Sequence, residues 1–102
     1  MATATKTVDI GKLITKSPNV YHGLPVIAGT KIPVMIIVGM HKEGASEADI
    51  ARRKYLTLAQ VHAALAYYYA NQQQVDKETK EEEAENKRLE KQARQMQTRD
   101  PV

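Results

Sequence analysis

The sequence predicts a mainly α fold: an N-terminal β-hairpin, a three-helix core with helix-turn-helix spacing, and a long charged C-terminal helix. Three shifts in composition along the 102 residues carry that expectation. Residues 1–33 hold most of the Gly and Pro and many β-branched residues. Residues 34–70 are apolar at helical spacing. Residues 71–102 are mostly charged or amide side chains. The corresponding segments are a strand region at 1–33, a helical core at 34–73 and a charged helical tail at 74–102, within one small domain.

In the first segment, Ser17-Pro18-Asn19 marks a turn. Val26-Ile27 and Lys31-Ile32 read as the two arms of a hairpin, with Ala28-Gly29-Thr30 between them. Gly29 supplies the positive φ that such a turn requires. Pro33 suits the start of a helix, where its missing N–H costs nothing. That helix runs from about Val34 to Lys42, turns Ile36, Ile37 and Met40 inward, and stops at Gly44 as its C′ glycine. Ser46 opens a second, short helix over 47–53, with Asp49 at capping-box spacing and Ala48, Ile50 and Ala51 facing inward. Lys54-Tyr55-Leu56 forms the turn. Thr57, with Gln60 three residues on, caps a third helix over about 58–72. Leu58, Val61, Ala64, Leu65 and Tyr68 lie on its inner face. Neither Gly nor Pro follows before Asp100, so helix extends into the tail. Glu83 with Lys87 and Glu90 with Arg94 are favourable i,i+4 pairs, each worth about 0.2–0.5 kcal/mol.

Composition excludes several classes of function. Without Cys there is no disulfide scaffold, thiol nucleophile or thiolate metal site. His22, His41 and His62 have no ligand spacing, so neither a metal nor a cofactor is expected. No nucleophile–base pair or carboxylate pair stands out, and the chain does not read as an enzyme. Residues 1–8 lack the apolar core of a signal peptide, and the apolar run Val34–Met40 is too short to span a bilayer. The cytoplasm is the expected compartment, with no membrane partner. Net charge is +3, and the basic excess lies in residues 1–56, which permits a polyanionic partner.

Two constellations point to recognition. In the first, the cap, short helix, tight turn, second cap and longer helix from Ser46 onward have helix-turn-helix spacing. The third helix then presents Thr57, Ala59, Gln60 and Ala63 to the major groove of DNA. Gln60 would read an adenine edge, Thr57 would touch phosphate, and Arg52, Arg53 and Lys54 would neutralise phosphates. The competing reading is an ordinary helical corner with a solvated basic cluster.

The second constellation, Gly29-Thr30-Lys31 before Pro33, admits an anion cradle at a helix N-terminus. The simpler reading, which is favoured, is a tight turn with Thr30 capping the helix. Tyr67-Tyr68-Tyr69 covers too wide an arc for all three rings to face inward. Tyr67 and Tyr69 are therefore candidates for a partner surface or for partial burial. A small core poor in large aromatics and a hairpin with an open edge favour a homodimer. Arg88, Lys91 and Arg94 form the basic end of the tail, with Arg99 beyond them, and are candidates to bind a protein partner, as are the scattered Val75, Leu89 and Met96.

The run Pro25-Val-Ile-Ala-Gly-Thr-Lys-Ile-Pro-Val34, the apolar helix ending at Gly44, and Tyr55-Leu-Thr-Leu-Ala-Gln-Val-His-Ala-Ala-Leu-Ala-Tyr-Tyr-Tyr69 together resemble the bacterial family called domain of unknown function 433. The likeness covers roughly residues 10–75. It implies a homeodomain-like helical fold preceded by β-structure. It also implies the role of antitoxin in a toxin–antitoxin pair, with a PIN-like ribonuclease as partner. The alternative is a non-catalytic protein-interaction module that does not bind DNA. The sequence departs from the family pattern at Lys31, where arginine is usual, and at His22-Gly23-Leu24-Pro25, where a Gly-Gly-basic-Pro run is common. It departs again at Arg52-Arg53-Lys54, where relatives are often acidic and place a proline after the aromatic. That last departure favours DNA contact for this member.

Overall fold

A computed structural model describes residues 7–98. The predicted strand region before residue 7 and the tail end from Arg99 onward lie outside the described residues. The elements follow in the order β1 (Ile14–Thr15), β2 (Val26–Ile27), α1 (Val34–Lys42), α2 (Glu47–Lys54), α3 (Leu58–Ala70) and α4 (Gln72–Thr98). Short 3₁₀ turns at Ile10–Lys12 and Tyr21–Gly23 flank the first strand. The chain divides into two compact units, Met1–Asn71 and Gln72–Val102.

The mainly α fold with an N-terminal hairpin is the predicted one, but the arms of the hairpin are different. Val26-Ile27 pairs antiparallel with Ile14-Thr15, not with Lys31-Ile32. The downstream arm contributes an isolated bridge between Val26 and Pro33, and the Ile27 N–H donates to the Ile32 carbonyl at 2.9 Å. Ile27 thus has neighbours on both sides and is fully buried. The tight turn between is real: Gly29 has φ +77°, and the Thr30 N–H donates to Ile27 O at 3.0 Å. Thr30 does not cap α1, however. Its hydroxyl donates to Ile27 O at 2.7 Å and accepts from the Ile32 N–H at 3.0 Å, clamping the turn. Pro33 occupies the N-cap position of α1 in extended conformation, with no side-chain cap.

In α1 the buried side chains are Val34, Ile37, Val38 and Met40, whereas Ile36 is exposed, contrary to expectation. Val38 takes the inward place because α1 is covered on an arc centred nearer Val34 and Ile37. The helix closes as predicted at Gly44, φ +101°. The Gly44 N–H reaches His41 O at 3.0 Å and the Ala45 N–H reaches Met40 O at 3.1 Å, a glycine-centred C-cap that satisfies two orphan carbonyls.

Ser46 caps α2 by accepting from the Asp49 N–H at 3.1 Å. Asp49 does not return the bond that would complete a capping box. Its shorter side chain instead accepts from Arg52 at 3.1 Å. Ile50 and Ala51 are buried, and Ala48 is exposed. Thr57 and Gln60 do form the full box at the start of α3. Val61, Ala63, Ala64, Leu65 and Tyr68 form the buried face of α3. Leu58, expected inside, is 52% exposed, and Ala63, expected on a reading face, is 6% exposed. The buried arc of α3 is rotated toward Ala63 because this helix packs against α1, α2 and both strands. Fully burying one Ile or Val side chain is worth about 1.5–3 kcal/mol, so Ile27, Val34, Ile37, Ile50 and Val61 set the stability of this unit.

Helix does not run unbroken into the tail. Asn71 leaves helical geometry (φ −134°, ψ 41°). Both its backbone N–H and its Nδ2 donate to Tyr67 O, each at 3.0 Å, so the amide side chain shares the carbonyl of the last i→i−4 bond. The compact unit therefore ends at Asn71, and no Gly or Pro is needed to end it. In the second unit, α4 has one buried apolar residue among those described, Val75, while Leu89 and Met96 are exposed.

Candidate nucleic-acid and partner interface

The turn between α2 and α3 is short because both flanking helices are capped. Tyr55 closes α2 in the left-handed region (φ 58°, ψ 44°), and the Leu56 N–H reaches back to Ala51 O at 2.8 Å. The same five-residue reach-back ends α1, where glycine fills the left-handed position. A residue bearing a Cβ costs about 1–2 kcal/mol there. Tyr55 gains no burial in return, being 95% exposed.

Immediately before it, Arg52 and Arg53 are exposed and Lys54 is half-buried. Arg52 pairs with Asp49 at 3.1 Å, with both side chains more than half exposed, a pairing worth little in water. No Asp or Glu occurs anywhere from Ile50 to Val75. The cations at the end of α2 therefore meet no carboxylate from the turn or from α3, and the field there favours a polyanion.

The predicted DNA-contacting residues stand as follows. Arg52, Arg53, Lys54 and Thr57 share this turn region and are at least partly accessible. Gln60 is half-buried, and its Oε1 accepts from the Thr57 N–H at 2.8 Å while its own N–H donates to Thr57 Oγ1 at 3.1 Å. The oxygen that a two-pronged adenine contact would use is thus engaged in the helix cap. Ala59 is exposed, and Ala63 is buried and removed from any reading face. Tyr55, which in sequence reads as a plain turn residue, is the addition. The sequence carries only a partial signal for it: no glycine lies between the caps Ser46 and Thr57, so a residue with a Cβ must end α2.

A second surface lies farther along α3, toward its C-terminal end. Ile10, Gly11 and Ile14 face Ala63, Ala66, Tyr67 and Ala70 across an open, mainly apolar groove of about 320 Å³. Tyr67 lines it and is half-buried. Tyr69 is 61% exposed, its ring tilted against Tyr68 at 5.3 Å. Tyr68 is buried, with the Lys42 ammonium 5.1 Å from its ring centroid. The three tyrosines divide as the helical arc required.

In the Gly29-Thr30-Lys31 turn, Gly29 and Lys31 are exposed and Pro33 is buried. Thr30 turns its hydroxyl into the turn, so the three do not converge on an anion. Among the described residues, no three His, Asp or Glu side chains gather where they could hold a metal ion. Nor is any described helix long and apolar enough to cross a membrane.

In the tail, Arg88 is held by Glu85 through two hydrogen bonds, at 2.5 and 3.2 Å. That guanidinium draws the Glu85 carboxyl below the ordinary carboxylate range, and the carboxylate raises the Arg88 pKa in turn. The pairing runs at i,i+3. Lys91 and Arg94 are exposed.

An N-terminal hairpin followed by short helices, with a basic turn and an apolar groove, defines the class of small, mainly α domain to which the chain belongs. Residues 14–68 match the family described as "Protein of unknown function (DUF433)", and the chain belongs to that family. The crystal structure of a DUF433 member protein from Anabaena variabilis ATCC 29413, at 2.00 Å resolution, is similar: 32% sequence identity, a TM-score of 0.61, and coverage of 66% of this chain and 67% of that one. No curated protein matches the chain.

Proposed function

We propose that the protein is a non-catalytic regulator of the antitoxin kind. In this reading α2 and α3 act as a helix-turn-helix on operator DNA, and a PIN-like ribonuclease is the protein partner. The observation that carries the DNA half is the turn itself. Arg52, Arg53 and Lys54 precede the exposed N-terminus of α3, with no carboxylate from Ile50 to Val75. The engaged Oε1 of Gln60 and the small Ala59 favour contact with the phosphate backbone over base readout by one copy. A cytoplasmic homodimer would supply two such faces about a two-fold axis, and β1, an outer strand of the two-stranded sheet among the described residues, is the strand such pairing would use.

The toxin half is supported by the family resemblance, by the groove lined by Tyr67, and by the exposed Tyr69. The groove also favours a second reading, a protein-interaction module without DNA binding. Titration of the protein into duplex DNA from its own upstream region, over a series of salt concentrations, separates the two. Neutralising Arg52, Arg53 and Lys54 together is expected to weaken binding on every sequence. The slope of log K against log salt should become shallower by about 0.9 for each phosphate that the protein no longer neutralises. Absence of binding at low salt would leave only the protein module.

A further inference from the structure

We propose that Tyr55 is a nucleic-acid contact residue: its phenol packs on the sugar–phosphate backbone and its hydroxyl donates to a phosphate beside those held by Arg53 and Lys54. The inference rests on the DNA-binding reading above and names the residue that makes its central contact.

Two independent observations meet at this residue. The first is conformational. Tyr55 occupies a left-handed C-cap position, φ 58°, at which glycine is the stabilising choice, as Gly44 shows at the end of α1. The second is exposure. At 95% the ring is more open than any other large apolar side chain described, compared with 61% for Tyr69. A side chain that is both strained and unburied contributes nothing to this fold. Its place is explained by what it touches outside the chain.

The surroundings identify that partner by charge. Arg52, Arg53 and Lys54 immediately precede it, no acidic residue follows until Asp76, and the one carboxylate bonded nearby, Asp49, is taken by Arg52. Cations around an exposed phenol suit a polyanion whose repeating unit offers phosphate oxygens and apolar sugar faces together. Tyrosine hydroxyls are regular phosphate donors in DNA complexes. Because phosphate contacts carry no sequence information, Tyr55 fixes position and does not select bases.

The test uses the full chain and two labelled duplexes, its own upstream DNA and an unrelated sequence. Tyr55→Phe removes only the hydroxyl and is expected to weaken binding to both duplexes by about ten- to a hundredfold, the effect of removing one hydrogen bond to a charged acceptor. The salt slope should not change, because every cation is retained. Tyr55→Gly is expected to weaken both further, while its melting temperature is no lower than that of the unsubstituted protein, since the left-handed strain is relieved. An unaltered affinity in Tyr55→Gly overturns the proposal while leaving DNA binding by the Arg/Lys cluster intact. A loss confined to one duplex overturns it too, by making Tyr55 a base reader. If Tyr55→Gly binds both duplexes normally but no longer retains a co-expressed partner chain, the ring belongs to a protein interface and the proposal fails. If the unsubstituted protein binds neither duplex at low salt, the DNA-binding reading fails and this inference with it.

Discussion

Gln60 is where stability and recognition can be separated. It is the N3 residue of the capping box on α3: its Oε1 accepts from the Thr57 N–H at 2.8 Å, and its N–H donates to Thr57 Oγ1 at 3.1 Å. Gln60→Ala removes the first of these bonds and frees the second to loosen, a loss of about 1 kcal/mol for a helix cap. In a unit of this size, about 1 kcal/mol lowers the melting temperature by roughly 4–8 °C. Gln60→Glu keeps the acceptor and adds a negative charge at the positive end of α3, worth about 0.3–1 kcal/mol in its favour. Its melting temperature at neutral pH is therefore expected to equal or exceed that of the unsubstituted protein. Thermal unfolding of both variants is read alongside DNA titration on two duplexes. If Gln60 is a cap and not a base reader, the ratio of the two affinities in Gln60→Glu stays as it is, even though the added charge weakens both. An unchanged melting temperature in Gln60→Ala would refute the capping argument. A stable Gln60→Glu protein with an altered affinity ratio would return Gln60 to the reading face.

Two further outcomes concern the tail. Glu85 titrates below the ordinary carboxylate range because Arg88 holds its charged form. This contribution to α4 is present above the unfolded carboxylate pKa and disappears as pH falls through the lowered folded value. Arg88→Gln is expected to return the Glu85 titration, followed by carboxyl NMR, toward the ordinary range. Truncation after Lys80 keeps the buried Val75 and removes Arg88, Lys91 and Arg94. If the tail docks on the toxin, the shortened chain retains its cooperative melt but no longer neutralises a co-expressed PIN-like ribonuclease. Full neutralisation would place the inhibitory surface in residues 1–80 instead.

Much of the helical part is legible in the sequence because capping chemistry is local. Ser46, Thr57 with Gln60, and Gly44 are read from spacings of a few residues, and each boundary they imply is found. The partner of Val26-Ile27 is not legible. Ile14-Thr15 lies beyond an intervening 3₁₀ turn and Ser17-Pro18-Asn19, and its pairing is a tertiary choice that two-residue strands do not announce. Inward faces differ from expectation at Ile36, Ala48 and Leu58. Short helices place few residues on each face, so which arc is covered depends on neighbours in space. The break at Asn71 is hidden for another reason: it is marked only by an amide side chain that also bonds to Tyr67 O, a feature without a distinctive spacing. At the candidate site the cations are visible in the sequence, while the left-handed, exposed Tyr55 requires the backbone.

The hydrogen bonds of the first unit bear on what it can do. Asp9, Ser17, Thr30, Ser46, Thr57, Gln60 and Asn71 each direct side-chain bonds at backbone no more than four residues away. These groups hold turns and helix ends in place. What the unit offers a partner is what those local bonds leave over: the guanidinium of Arg53, the ammonium of Lys54, the Tyr55 ring and the groove beside Tyr67. A charge and a ring on a rigid turn suit a phosphate backbone, and an apolar groove suits a protein segment. The charged turn closes α2 and the groove lies against α3, so on the proposed reading DNA and a protein partner would meet separate surfaces. This arrangement supports the regulator reading over one confined to a protein partner.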